Sequence, residues 1–257
     1  MELKKHIPNA LTLGNLACGV LGIIFLMGFE QDGLQNRMII FQLFVAALVF
    51  DFLDGLAARL LKVSSPIGKD LDSLADVVSF GVLPGLMMYK AIGWSFQTPD
   101  DAEFGIQNQY FAYLGLMIPL FSALRLAKFN HDTRQSSGFR GLPTPANAIF
   151  FFSIFLIVLK SRRHSVWEGP IVQFFSHPAV LLVLCIVFSL LLVSEIKLLA
   201  FKFKSFGLKE NWTRYLFFAL SFYLYALLTY QGVPLIILSY FLISFVHYRW
   251  VEKSERV

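Results

Sequence analysis

Four aspartates stand at fixed spacing in a chain that is otherwise strongly apolar. Asp51 and Asp54 lie in Asp51-Phe-Leu-Asp54-Gly55-Leu-Ala-Ala58-Arg59, and Asp72 and Asp76 in Gly68-Lys-Asp-Leu-Asp72-Ser-Leu-Ala-Asp76. Asp51 closes the apolar run that begins at Met38, and Asp72 and Asp76 open the next one. An ionisable group inside an apolar span costs about 2.5–3.5 kcal/mol on insertion scales, which makes it a functional candidate by default. On helices, spacings of three and four place each pair on one face. Two such pairs facing each other supply oxygen ligands for hard divalent cations. Two bound cations in turn suit a pyrophosphate and its reacting phosphorus.

The elements that position these carboxylates are membrane helices. Hydrophobic residues make up 56% of the 257 residues, and the mean hydropathy is +0.63, above the usual share for a soluble domain. Eight segments are apolar enough to span or nearly span a bilayer: 9–29, 37–61, 70–93, 109–129, 143–160, 178–200, 211–230 and 232–249. Only Gln231-Gly232 and Pro234 separate the last two, so seven spans is the alternative count. Ser64-Ser65-Pro66 is a turn signal, and the short connection around it predicts that the second and third spans are antiparallel neighbours. All four carboxylates then lie near one depth. Gly55, Ala57 and Ala58 leave room for close approach of a helix or a ligand. Arg59 has the planar guanidinium that suits a phosphate.

Charge sets the orientation. With the N-terminus inside, 17 of the 22 lysines and arginines fall on the inner side, including Lys62, Lys69, Arg125, Lys128, Arg134 and Arg140. The outer side holds the acidic loop Asp100, Asp101, Glu103, with the basic cluster Lys160 to His164 as a local exception. The positive-inside bias predicts a multi-pass protein of the cell (inner) membrane, with both termini and the carboxylate cluster cytoplasmic. The opening Met1-Glu-Leu-Lys-Lys-His and the long apolar run after it do not read as a cleavable signal. Cys18 and Cys185 fall in predicted spans and read as structural thiols. The net charge of +5 reflects the inner loops and contact with anionic lipid, and excludes nucleic acid as a partner class.

The carboxylate string resembles the signature of the CDP-alcohol phosphatidyltransferases, D-x-x-D-G-x-x-A-R-x(8)-G-x-x-x-D-x-x-x-D. Asp51, Asp54, Gly55, Ala58, Arg59, Gly68, Asp72 and Asp76 meet every fixed position, with eight residues between Arg59 and Gly68. The resemblance implies an all-α integral membrane protein with a six-helix core. It divides the chain into a catalytic membrane core over 1–177 and transmembrane helices over 178–257 that complete or extend it. It also implies two divalent ions, Mg²⁺ or Mn²⁺, held by Asp51, Asp54, Asp72 and Asp76, with Asp76 also the general base. Gly55, Ala58, Arg59, Ser65 and Gly68 are expected at the CDP-lipid, and Pro8-Asn9-Ala-Leu-Thr12 looks like the family's first-helix contribution, through Asn9 and Thr12. Pro8-Asn9 also reads as an ordinary helix start.

The acceptor alcohol is read elsewhere. Ser79-Phe80-Gly81-Val-Leu-Pro84-Gly85, Arg125-Leu-Ala-Lys128-Phe-Asn130 and Gly138 to Asn147 are similar to the serine-accepting branch of the family, with the likeness running over 5–150. CDP-diacylglycerol and L-serine are then the implied partners, with membrane lipid and a homodimer alongside. A serine carboxylate needs a cation, and Arg125, Lys128, Arg134 and Arg140 supply a cluster. Glycerol 3-phosphate or an inositol phosphate asks for the same cations, so charge does not choose among acceptors. A cation transporter is the rival from another class. Against it, the carboxylates gather at one end of two helices instead of at mid-membrane, and Glu195 is the only carboxylate in the five later spans.

Overall fold

In lipid every backbone polar group must be satisfied within its own segment, and helices do this. The computed structural model describes residues 3–63, 65–96, 109–131, 139–161, 169–199 and 207–248. Helix α1 is Leu3–Met27, α2 is Phe29–Leu61 and α3 is Pro66–Asp76. A π-helical turn, Val77–Val82, joins α3 to α4, Leu83–Ser95. A 3₁₀ stretch Gln109–Leu116 leads into α5, Met117–His131. Then come α6 (Thr144–Ser161), α7 (Pro170–Ser176), α8 (Pro178–Val193), α9 (Leu208–Leu228) and α10 (Val233–Val246). Among the described residues, six helical runs are long and apolar enough to cross a membrane, and a seventh is added when α7 and α8, bent by 69°, count as one span. The protein is therefore an all-α, multi-pass membrane protein.

One expected span needs correction. The segment expected over 178–200 stops as a helix at Val193, because Ser194 turns extended (φ −68°, ψ 157°). Beyond it Lys197–Leu198 pairs antiparallel with Phe139–Arg140, a two-residue bridge and the only strand pairing among the described residues. Leu199 donates its N–H to Ser244 Oγ (3.1 Å) and accepts at its carbonyl from Tyr240 Oη (2.8 Å), so this extended piece is pinned to α10. The run Asn211–Val246 spans 36 residues, about 54 Å if straight. It is not straight: Thr213 Oγ1 lies 3.3 Å from His247 Nδ1. Thr229 takes a left-handed φ of 52°, and a Cβ on Gly232 would sit 2.6 Å from the Leu224 carbonyl oxygen. The chain folds back there, and α9 and α10 form a hairpin matching the two separate segments 211–230 and 232–249.

The expectation that the chain's first helix starts at Pro8-Asn9 is also corrected. Pro8 lies inside α1, which already runs from Leu3.

The core that holds the site is aromatic. Phe44 stacks on Phe152 (centroids 4.3 Å apart) and Phe150 on Phe188 (3.8 Å), with Phe80, Phe151 and Phe155 fully buried beside them. Such ring pairs add directional attraction to apolar packing. Helix α1 lies close against α2, α3 and the π-turn. A Cβ on Gly19 would stand 2.9 Å from Ser79 Cα, so only glycine permits that approach.

Candidate active site

The signature pairs sit where two helices meet at one end of the bundle. Helix α2 carries Asp51 and Asp54 in its last turns and ends at Lys62, which takes the left-handed conformation (φ 52°) and returns its N–H to Ala58 and Arg59. Helix α3 starts on Ser65, whose Oγ accepts from Gly68 N–H at 2.9 Å, with Pro66 in its first turn. This is the Ser/Pro arrangement expected of a helix start. From that fixed start the helix presents Asp72 and, one turn on, Asp76.

Asp51, Asp72 and Asp76 each offer a carboxylate oxygen, and these oxygens all lie within 4.8 Å of one another. Asp76 is buried, and Asp51 and Asp72 are half-buried. Like charges this close in a partly dry setting repel strongly. A hard divalent cation relieves that repulsion and takes oxygen donors of this kind. The donor set therefore fits Mg²⁺ or Mn²⁺.

Asp54 stands apart from that trio. It is buried, and its Oδ2 accepts from Thr12 Oγ1 at 2.6 Å, while Thr12 Oγ1 also lies 3.0 Å from the Pro8 carbonyl. Next to the trio opens a cleft of about 320 Å³ lined by Pro8, Asn9, Thr12, Asp54, Gly55, Ala58, Val63, Ser65, Gly68, Lys69 and Asp72. That volume is in the range of small-ligand sites. Of the residues expected at a CDP-lipid, the cleft brings together Asn9, Thr12, Gly55, Ala58, Ser65 and Gly68. Arg59 is exposed in the last turn of α2 and is not among the lining residues. A Cβ on Gly55 would meet nothing within 4 Å among the described residues, which fits a surface left clear for a ligand.

The four basic residues expected at an acceptor separate in the structure. Arg125 is 8% exposed; its Nη1 donates to Thr144 Oγ1 (3.1 Å) and its guanidinium lies 4.9 Å from the Phe129 ring centroid. It also interacts electrostatically with Asp76. Lys128 points elsewhere, to Glu195 Oε1 at 2.8 Å, and both groups are about half exposed. Arg134 lies outside the described residues, and for Arg140 only the backbone pairing with Lys197 is described.

Several polar residues here make contacts that local sequence does not announce. Asn15 Nδ2 donates to Asp76 Oδ1 (3.3 Å), and Ser79 Oγ donates to the Asn15 carbonyl (3.0 Å). Asn15 is 61 residues from Asp76, so no local pattern announces the contact. Asn130 Nδ2 donates to Ser73 Oγ (2.8 Å), while Lys69 Nζ donates to the Asn130 carbonyl (2.8 Å), tying α5 to α3. Ser122 Oγ and both amide atoms of Asn147 are buried with no hydrogen-bond partner among the described residues. Leaving such a group unpaired costs about 1–3 kcal/mol.

Comparisons with known proteins bear on the family. The family model for CDP-alcohol phosphatidyltransferase matches residues 5–189. A Helicobacter pylori protein named CDP-diacylglycerol–serine O-phosphatidyltransferase is 32% identical over 233 residues, covering 89% of this chain and 87% of that protein. A Bacillus subtilis protein of the same name is 30% identical over 161 residues, covering 61% of this chain and 76% of its own length. An archaetidylserine synthase of Methanothermobacter thermautotrophicus is 34% identical over 154 residues, 58% of each chain.

Proposed function

Because this chain belongs to the CDP-alcohol phosphatidyltransferase family, we propose that it transfers a phosphatidyl group from CDP-diacylglycerol to the hydroxyl of L-serine, giving phosphatidylserine and CMP. The observation that carries the reaction type is the meeting of Asp51, Asp72 and Asp76 beside a cleft whose walls are the signature's small and hydroxyl residues. Serine as acceptor is supported by the names of the Helicobacter and Bacillus relatives. The archaeal relative's name also joins serine to a different lipid, which points to the acceptor as the shared feature.

In this reading Asp51, Asp72 and Asp76 hold the divalent ions, with Asp54 completing the set from the cleft side. When bound, such ions offset charge on the pyrophosphate and on the departing CMP. The chain's own residues do the rest. Thr12 fixes Asp54 through its 2.6 Å hydrogen bond. Asn9, Gly55, Ala58, Ser65 and Gly68 receive the CDP-lipid, and Arg59 reaches its phosphates from the rim. Asp76 accepts the serine hydroxyl proton as the new oxygen–phosphorus bond forms and the bond to CMP breaks, the usual role of a base beside a weak nucleophile. Asn15 orients that carboxylate from α1. Arg125 is the cation best placed for the serine carboxylate, since Lys128 is engaged by Glu195. Residues 1–177 form the catalytic core and 178–257 extend it, the site faces the cytoplasm from the inner membrane, and a homodimer is compatible with the lipid-facing surfaces.

The same chemistry with glycerol 3-phosphate or an inositol phosphate is the competing reading. Purified protein supplied with CDP-diacylglycerol, Mg²⁺ or Mn²⁺, and each acceptor in turn separates them. CMP release with serine well above the other two is expected. Equal or greater release with a phosphorylated acceptor would overturn the assignment of serine.

A further inference from the structure

Beside Asp76 lies a patch of buried polar groups of which the reaction as described uses only Arg125. Ser122 and Arg125 are three residues apart on α5, and Thr144 and Asn147 three apart on α6, so each pair shares a helix face. The hydrogen bond from Arg125 Nη1 to Thr144 Oγ1 (3.1 Å) joins the two faces. Ser122 packs on the π-turn that follows Asp76: a Cβ on Gly81 would stand 3.1 Å from Ser122 Cβ. A π-helix advances more than four residues per turn, so Gly81 falls about one turn beyond Asp76, and Ser122 is held next to the carboxylate's own helix. Helix α6 packs on the same π-turn.

Within this patch Ser122 and Asn147 are fully buried, and Ser122 Oγ, Asn147 Oδ1 and Asn147 Nδ2 have no hydrogen-bond partner among the described residues. Buried polar atoms are almost always paired, so three orphans in one patch call for an explanation. They carry no charge, and each stands about one helical turn from a partner in the Arg125–Thr144 hydrogen bond. The set offers hydrogen-bond acceptors for an ammonium and a cation for a carboxylate, which is the complement of a small zwitterion carrying a hydroxyl.

We infer that Asn147 and Ser122 are specificity-determining residues, which accept the ammonium group of the acceptor amino acid while Arg125 takes its carboxylate. This rests on the serine reading above. The three contacts fix the amino acid at its α-carbon, which leaves its hydroxyl directed at Asp76. An alcohol lacking the ammonium leaves the amide and hydroxyl unpaired and is rejected for that reason.

The test is Asn147→Leu, close in size and without polar atoms, in the full chain reconstituted in lipid. Thermal melting and saturation kinetics in both substrates are measured, and glycerate is compared with serine. The apparent KM for serine is expected to rise about tenfold or more, the scale of one lost hydrogen bond to a charged group. KM for CDP-diacylglycerol stays the same, the preference for serine over glycerate shrinks, and the melting temperature holds or rises because an unpaired amide has been removed. An unchanged serine KM with a raised melting temperature would overturn the inference, leaving a buried amide or a water site only. Parallel losses for both substrates would also overturn it, as general loosening. Ser122→Ala, read by the same criteria, decides the matter if Asn147→Leu does not fold. Wild-type protein that releases no CMP with serine would instead remove the serine reading itself, an outcome visible before any variant is made.

Discussion

Asp72→Asn separates a catalytic carboxylate from a structural one. Three carboxylate oxygens stand within 4.8 Å of one another, and two unit charges at that distance repel by about 3.5 kcal/mol at an effective dielectric of 20. Asp51 and Asp72 are only half-buried, and solvent screening brings the relief from removing one charge down to about 1–2 kcal/mol. In cation-free protein, Asp72→Asn is therefore expected to melt higher, by about 2–8 °C at 2–4 °C per kcal/mol. Divalent ions reverse the order. At a hundred times the dissociation constant they stabilise the wild type by about 2.7 kcal/mol, and the variant gains little. CMP release falls by about 10³-fold or more, since charge stabilisation by bound metal is worth several kcal/mol. The assay is a melting curve with chelator and with Mg²⁺ or Mn²⁺, beside CMP release on the same samples. A variant with near-normal turnover and the full cation-induced shift would refute the carboxylate reasoning.

Asp76→Asn is expected to reduce kcat by about 10²–10⁴-fold, the usual worth of a positioned base, while equilibrium binding of CDP-diacylglycerol stays within a few-fold. Arg125→Ala raises the serine KM by about 10–100-fold with the CDP-lipid KM nearly intact, whereas Lys128→Ala, which breaks only a half-exposed ion pair, shifts serine KM little; kinetics in both substrates check this contrast. Single cysteines at positions 69 and 135 should label only from the cytoplasmic side and one at 101 only from outside, as the positive-inside bias requires, and labelling of position 135 from outside would invert the topology.

The carboxylate site is legible in the sequence because its information is local. Asp51 and Asp54 share a helix face by spacing, as do Asp72 and Asp76, and one short turn brings Asp51 to Asp72 and Asp76, while Asp54 stands outside that trio on Thr12. The cleft residues are legible only through the resemblance, since nothing about Asn9 or Thr12 in isolation says that Thr12 meets Asp54 across 42 residues. Asn15 and Ser122 stay hidden for the same reason, and Asn147 is legible only as part of a stretch similar to the serine-accepting branch. A polar residue in an apolar helix carries no sign of its partner, and burial without a partner is visible only once the helices are packed. The helix end at Val193 is masked because Ile196, Leu198 and Leu199 continue the apolar pattern, while hydrogen bonds to Ser244 and Tyr240 hold that stretch extended. The fold-back at Thr229 follows from Gly232 and Pro234, two residues that punctuate helices for known steric reasons.

The reaction proposed for this protein joins serine to a phosphatidyl group by metal-assisted displacement of CMP. Purified, chelator-stripped protein in lipid, given CDP-diacylglycerol and serine, tests it directly when CMP and phosphatidylserine are quantified together before and after adding Mg²⁺ or Mn²⁺. Neither product is expected until the cation is added, after which the two appear in equal amounts and in proportion to serine. CMP released without serine, or both products formed at full rate with chelator present, would contradict it.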